Sequence, residues 1–170
     1  MCDACWAGVD SHQPAGEYAG ALRDIIHAFK YEGRRSLARP LALRMRARGA
    51  AALEGADAVV PVPLHPFRRV RRGFNQAADL SRHLRLPVVH ALWRVRYTTS
   101  QMGLPAVERR QNVRPGAFRL SPLVRPGALD DRILVLVDDV KTTGATLAAC
   151  ASVLTRAGAR EVRTLTAAWA

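Results

Sequence analysis

An α/β fold with a central, mostly parallel sheet flanked by helices is the architecture that this sequence of 170 residues predicts. In RILVLV, residues 132–137, five apolar residues follow Arg132 without interruption, as expected of a central strand covered on both faces. Residues 145–157 then show an apolar face at helical spacing, and EVRTLTAAW, residues 161–169, follows as a further strand. A strand, a helix and a strand in this order predict a parallel pair joined by a right-handed crossover.

Two helices are predicted ahead of this unit. In the first, four apolar side chains follow the spacing i, i+3, i+4 and i+7, namely Leu22, Ile25, Ile26 and Phe29. This spacing predicts an amphipathic helix over residues 20–30, which ends before Gly33. The stretch 36–53 predicts a second, continuous helix, in which Pro40 is tolerated because it lies near the start.

The middle of the chain predicts two short strands and a capped helix. ADAVVPVPL, residues 56–64, contains a β-branched strand that its prolines terminate, and LPVVHAL, residues 86–92, predicts another strand. Between them, Asn75 can cap a helix that runs to about Leu84. Residues 97–116 show no steady period, which is typical of a functional or mobile connection.

The charge is strongly positive and unevenly distributed. The net charge is +12, and residues 66–119 hold twelve arginines against only Asp79 and Glu108. Such a field favours polyanionic partners, either nucleic acid or a phosphorylated metabolite. The apolar runs are far shorter than the roughly 18 residues that cross a bilayer, so we expect a cytoplasmic protein without membrane insertion.

The stretch LVDDVKTTGATL, residues 136–147, places two carboxylates and a phosphate-binding loop at the end of the central strand. Ligands of open α/β sheets lie at this edge. Gly144 lets the backbone approach a phosphate, and the helix that follows contributes its positive end. Asp138 and Asp139 suit the hydroxyls of a sugar whose 5′-phosphate lies in the loop. Alternatively, the two acids only cap a helix.

This pattern resembles the signature that binds phosphoribosyl pyrophosphate (PRPP) in type I phosphoribosyltransferases. Four stretches extend the resemblance to the ComF-like competence proteins: LRDIIHAFKYEGRRSLARPLA, VVPVPLHPFRRVRRGFNQAADLSR, TSQMGLPAVERRQNV and LVLVDDVKTTGATL. The resemblance implies a type I phosphoribosyltransferase fold. It implies that Asp138 and Asp139 hold the ribose hydroxyls, directly or through Mg²⁺, and that the 5′-phosphate is bound by Thr142, Thr143, Gly144, Ala145 and Thr146. Lys141 departs from the family pattern, and its side chain either reaches a phosphate or points to solvent.

An arginine cluster follows the first predicted strand, in HPFRRVRRGFNQ. The resemblance assigns pyrophosphate binding to this segment, with Arg68, Arg71 and Arg72 as the cations. A leaving group with about three negative charges needs fixed cations and Mg²⁺ where charge develops. The alternative is a solvated basic surface that binds nucleic acid without sequence preference.

The segment TTSQMGLPAVERRQNV corresponds to the mobile loop that closes over PRPP in the family and excludes water. Arg109 and Arg110 would then be its closing, catalytic cations, and Gln101 and Asn112 are candidate polar contacts. If the segment is only a surface connection, these arginines serve solubility alone.

Cys2 and Cys5 form half of a zinc-ribbon pattern. We therefore interpret residues 1–16 as the remnant of a zinc-ribbon-like segment and residues 17–170 as the phosphoribosyltransferase domain. His12 could complete only a three-ligand site, so bound zinc is not expected. Cys150 is expected in the core and His27 on the surface, whereas His65 could touch a ligand.

The sequence favours two candidate functions. The first is Mg²⁺-dependent transfer of phosphoribosyl from PRPP to an unidentified nitrogen acceptor, with release of pyrophosphate. The second is a non-catalytic or PRPP-sensing competence protein that binds single-stranded DNA during natural transformation, with other competence proteins as partners. The acceptor, the oligomeric state and the retention of catalysis stay open.

Overall fold

A four-stranded parallel sheet forms the centre of the molecule in the computed structural model, which describes residues 11–64, 73–95 and 116–170. The strands within these ranges are β1 (Ser11–Pro14), β2 (Ala58–Pro61), β3 (Leu92–Arg94), β4 (Phe118–Leu120), β5 (Ile133–Lys141) and β6 (Glu161–Trp169). The order in the main sheet is β1-β6-β5-β2, whereas β3 and β4 form a separate antiparallel pair. The predicted α/β class, with its central parallel sheet, is confirmed.

Helices cover both faces of this sheet. They are α1 (Gly20–Tyr31), α2 (Ala38–Arg48), α3 (Ala50–Leu53), α4 (Gln76–Ser81) and α5 (Ala145–Arg156), with a 3₁₀ turn at Arg35–Leu37. On one face of β5, Leu134 and Leu136 pack in the same cluster as Cys150 and Leu154 of α5. On the other face, Val135 and Val137 pack in a second cluster, which includes the apolar sides of α1 and α2. The apolar character of β5 follows from this burial on both sides.

Several predicted elements are confirmed with small shifts of their ends. The first helix extends one residue further than predicted, to Tyr31, and the last strand has the predicted bounds. Asn75 caps α4 as predicted, since its Oδ1 accepts from the N–H of Ala77 at 3.0 Å, but this helix ends early, at Ser81.

Two predicted elements are wrong. The continuous helix over 36–53 is instead a 3₁₀ turn followed by α2 and α3, with a break at Gly49. A Cβ at this position would overlap Cδ1 of the buried Leu165. Because Gly49 has no side chain, the backbone at the break can approach β6 closely. The strand predicted over 86–92 is reduced to one bridge between Val88 and Val59, because the chain leaves β2 and pairs from Leu92 onward with β4.

Residues 11–14 belong to the main sheet, because Ser11–Pro14 pairs in parallel with residues 163–166 of β6. The division of the chain at residue 17 stays a prediction. His12 lies in this strand, and its Nδ1 is 2.8 Å from Oγ1 of Thr164. Burial, together with the charge of Lys141, lowers the pKa of His12 to about 4. Cys2 and Cys5 lie outside the described residues.

Candidate functional site

The carboxyl end of β5 leads through a short loop into α5. Gly144 stands directly before the helix with φ +77°, a conformation that favours glycine. Oγ1 of Thr143 accepts from the N–H of Ala145 at 3.4 Å, and the side chains of Thr142 and Thr143 are exposed. The N–H groups of the first helical turn have no carbonyl partner within their helix, and they present partial positive charge to the loop. This segment is therefore suited to an anion.

Asp139 points to the α1 side of the sheet. Its Oδ1 lies 2.8 Å from Nζ of Lys30, and both side chains are only 13% exposed. Burial alone would lower the pKa of Lys30, but the charge and hydrogen bond of Asp139, with a smaller effect of Asp138, raise it above its ordinary value. The Lys30 ammonium is therefore charged at neutral pH and holds one oxygen of the carboxylate.

Asp138 points to the opposite side, toward α5. Successive side chains of a strand alternate between faces, and Asp138 follows the register of Leu134 and Leu136. Burial, and then the negative charge of Asp139, raise its pKa to about 7, although a hydrogen bond from the Asp139 N–H at 2.8 Å acts against this shift. Burial and the charge of Asp138 raise the pKa of the Cys150 thiol well above its ordinary value. Cys150 is fully buried, as predicted.

The position of Asp138 makes stability depend on pH. Its pKa is about 7 in the folded chain against an ordinary 3.8, so its contribution to stability is full below about pH 4, declines as the pH rises from there, and is lost above about pH 7. We expect Asp138→Asn to gain stability relative to the wild type between about pH 5 and 8, as followed by urea unfolding. A difference between the two proteins that is constant over this range would contradict the burial of Asp138.

Lys141 ends β5 and is half-buried. Its Cε lies 3.4 Å from the position that a Cβ on Gly144 would take, and burial lowers its pKa. Part of this side chain therefore lies beside the loop backbone. The two alternatives that the sequence leaves open for its ammonium, contact with a phosphate and exposure to solvent, stay untested.

The remaining predicted site residues lie outside the described ranges. They are His65, Arg68, Arg71, Arg72, Gln101, Arg109, Arg110 and Asn112, and the roles expected for them stay predictions. His27 is exposed as predicted, with a side chain 60% accessible, and its ring contacts that of Tyr31 in a tilted arrangement, with centroids 4.8 Å apart.

Lys30 is the residue that sequence reasoning missed. A signal was present, because Lys30 follows Ile26 by four positions and Phe29 by one, and therefore lies beside the buried side of the amphipathic helix. A lysine at such a position is placed to pair with a carboxylate of the sheet beneath it.

Two clefts elsewhere on the molecule do not involve the segment 138–146. One, of about 460 Å³, lies between the end of α5 and residues 120–130, and the other, of about 540 Å³, lies between α2, α3 and residues 84–86. Within the described residues, no group of three or more His, Cys, Asp and Glu side chains is arranged to hold a metal ion. The helices of the same ranges include none with the length and apolarity that a bilayer crossing requires.

Comparison with known proteins identifies the family. No family model matches the sequence. Competence protein F of Haemophilus influenzae is 39% identical over 158 residues, which cover 87% of this chain and 68% of the relative. DNA utilization protein YhgH of Escherichia coli is 37% identical over 162 residues, covering 86% of this chain and 66% of that protein. The chain belongs to the competence protein F family, as its motifs predict, and it spans about two thirds of the length of these relatives.

Solved structures were compared as well. The allosteric regulatory enzyme of purine biosynthesis aligns with 76% of this chain and 25% of its own, at a TM-score of 0.48 and 23% identity. Glutamine PRPP amidotransferase of B. subtilis aligns with 84% of this chain and 30% of its own, at a TM-score of 0.49 and 21% identity.

Proposed function

We propose that this chain binds PRPP and acts as a phosphoribosyltransferase-like protein within its family. The observation that carries the proposal is the loop of residues 142–146, which joins the carboxyl end of the central strand to the start of α5. In this loop Gly144 adopts the left-handed conformation, and the threonines at 142 and 143 are exposed. Hydroxyl groups and the N–H groups at the start of a helix are the donors that bind a 5′-phosphate.

Asp139 is the better supported of the two ribose ligands. Lys30 occupies its Oδ1, and its Oδ2 has no hydrogen-bond partner among the described residues. That oxygen can accept a hydrogen bond from a ribose hydroxyl. Asp138 lies on the other face and has a raised pKa, so we assign it a weaker, indirect part in ribose binding, although the sequence resemblance gives both acids the same role.

We propose that Mg²⁺ binds together with PRPP. The described carboxylates form no cluster that could enclose the ion, which fits a magnesium ion held mainly by ligand oxygens and water, with one protein carboxylate. When bound, the ion would neutralise charge on the departing pyrophosphate.

The proposed reaction is a substitution at C1 of the ribose. An acceptor nitrogen forms the new bond to C1, and the bond from C1 to the pyrophosphate oxygen breaks. Arg68, Arg71 and Arg72 are proposed to bind the leaving group, and Arg109 and Arg110 to close the site. Exclusion of water protects the cationic transition state from hydrolysis.

The experiment that tests this function has two parts. Calorimetry with PRPP and Mg²⁺ measures binding, and a pyrophosphate assay with a panel of bases and amines measures turnover. We expect binding of PRPP, and pyrophosphate release with at least one acceptor. Binding of PRPP without turnover would indicate a PRPP sensor and not an enzyme. If PRPP does not bind, the proposal is contradicted.

DNA binding is a second candidate function. The names of the relatives refer to competence and to DNA utilization, and the net charge of +12 favours a polyanion. We therefore propose single-stranded DNA and other competence proteins as further partners, in the cytoplasm. Because few aromatic residues are available for stacking, DNA affinity should depend mainly on phosphate contacts. We expect it to fall at least about 100-fold between 50 and 200 mM salt in a fluorescence anisotropy titration. An affinity independent of salt would contradict this mode.

A further inference from the structure

Lys30 reaches the site from α1, which lies far in the sequence from the stretch of residues 136–147 that holds the two acids. Ile26 and Phe29 of α1 are fully buried against the face of the sheet that also carries Val137. The ring of Phe29 contacts that of Phe74, with centroids 5.5 Å apart. These contacts fix the last turn of α1, and Lys30 extends from this turn to Asp139 at the carboxyl end of β5.

The Lys30–Asp139 pair differs from the surface ion pairs of the molecule. Arg23 and Asp24 are 3.6 Å apart with side chains 63% and 74% exposed, and Arg160 and Asp131 are 3.5 Å apart and similarly exposed. Lys30 and Asp139 are closer, at 2.8 Å, and only 13% of each side chain is exposed. The free-energy cost of removing two charges from water offsets much of the attraction between them. Stability alone is therefore a poor explanation for an enclosed pair at this position.

The ion pair with Lys30 orients the carboxylate of Asp139. With Oδ1 bound to the ammonium, rotation of the Asp139 side chain is restricted, and the second oxygen remains for a ligand. A carboxylate that is already oriented loses less conformational freedom when it accepts a hydrogen bond.

We propose that Lys30 is a positioning residue for ribose recognition, which holds Oδ1 of Asp139 so that Oδ2 accepts a ribose hydroxyl. This inference rests on the proposed function, because it needs a ribose in the site. It assigns to α1 a part in selecting ligands that carry ring hydroxyls over simple phosphates.

The test compares ribose 5-phosphate with inorganic phosphate by calorimetry on the full chain. The wild type should prefer ribose 5-phosphate, and Lys30→Met should reduce that affinity about tenfold while changing phosphate affinity less than about twofold. Lys30→Arg should restore most of the preference, because it keeps a cationic donor. Arg23→Met, which removes an exposed positive charge from the same helix, should keep the wild-type preference. Thermal unfolding checks each fold, and Lys30→Gln gives the same readout should Lys30→Met not fold.

The outcomes separate this inference from the proposed function. If the wild type binds neither PRPP nor ribose 5-phosphate, the proposed function fails, and the role of Lys30 fails with it. If the wild type binds both and Lys30→Met keeps the preference, or weakens both test ligands equally, only the positioning role is overturned. A loss confined to PRPP, with ribose 5-phosphate unaffected, would overturn it too, because Lys30 would then contact the diphosphate.

Discussion

Asp139→Asn should weaken PRPP binding by about 10- to 150-fold, since a hydrogen bond to a charged group contributes about 1.5–3 kcal/mol. The substitution removes the charged acceptor of the ribose hydroxyl. It also leaves the Lys30 ammonium enclosed, at 13% exposure, beside a neutral amide. Calorimetry with PRPP and Mg²⁺ measures the loss, and circular dichroism tests whether the fold is retained.

Asp24→Asn provides the matched control for this change. Asp24 lies on α1, its side chain is 74% exposed, and its pairing with Arg23 is loose, at 3.6 Å. We expect PRPP affinity within about twofold of the wild type, as for other surface substitutions. If the Asp139→Asn protein is folded and binds PRPP with the same affinity as this control, a role for Asp139 in PRPP binding is contradicted.

Gly144→Val is expected to disrupt phosphate binding, with the second-largest effect. The φ of +77° is strained for any residue with a Cβ, and most strained for a β-branched one, at a cost of about 1–3 kcal/mol. The new Cβ would also lie 3.4 Å from Cε of Lys141. The loop must then change shape, and we expect affinity for both inorganic phosphate and ribose 5-phosphate to fall at least about tenfold. This loss is unlike that of Lys30→Met, which should spare inorganic phosphate.

Gly55→Val tests whether the loss at Gly144 is local. Gly55 has φ +65° with open space around it, and it lies before β2, at the opposite end of the sheet from the loop. Urea unfolding should show a comparable loss of stability for the two variants. Only Gly144→Val should lose phosphate affinity, and an equal loss in both proteins would mean that reduced stability, rather than loop shape, controls binding.

The sequence predicts the centre of this fold well because its signals are local. The run that forms β5, the helical period of α5 and the β-branched character of β6 each lie within one segment, and burial on both faces of β5 gives an uninterrupted apolar pattern. The position of the loop of residues 142–146, the proposed phosphate site, at the carboxyl end of β5 follows directly from that order.

The details of the site depend on contacts that are distant in the sequence. The predicted strand ends at Val137, directly before the two acids. In the structure, pairing with β6 continues as far as Lys141 opposite Trp169. Strand alternation therefore sends Asp138 and Asp139 to opposite faces. Similarly, Lys30 is more than one hundred positions from Asp139, and only the packing of α1 brings them together.

A crystal structure of this chain soaked with ribose 5-phosphate tests the central claim most directly. Our account predicts the phosphate within hydrogen-bond distance of the backbone N–H groups of residues 143–146, with a ribose hydroxyl on Oδ2 of Asp139 and the Lys30 pair intact. Ribose 5-phosphate bound at another place, with the loop of residues 142–146 unoccupied, would contradict it.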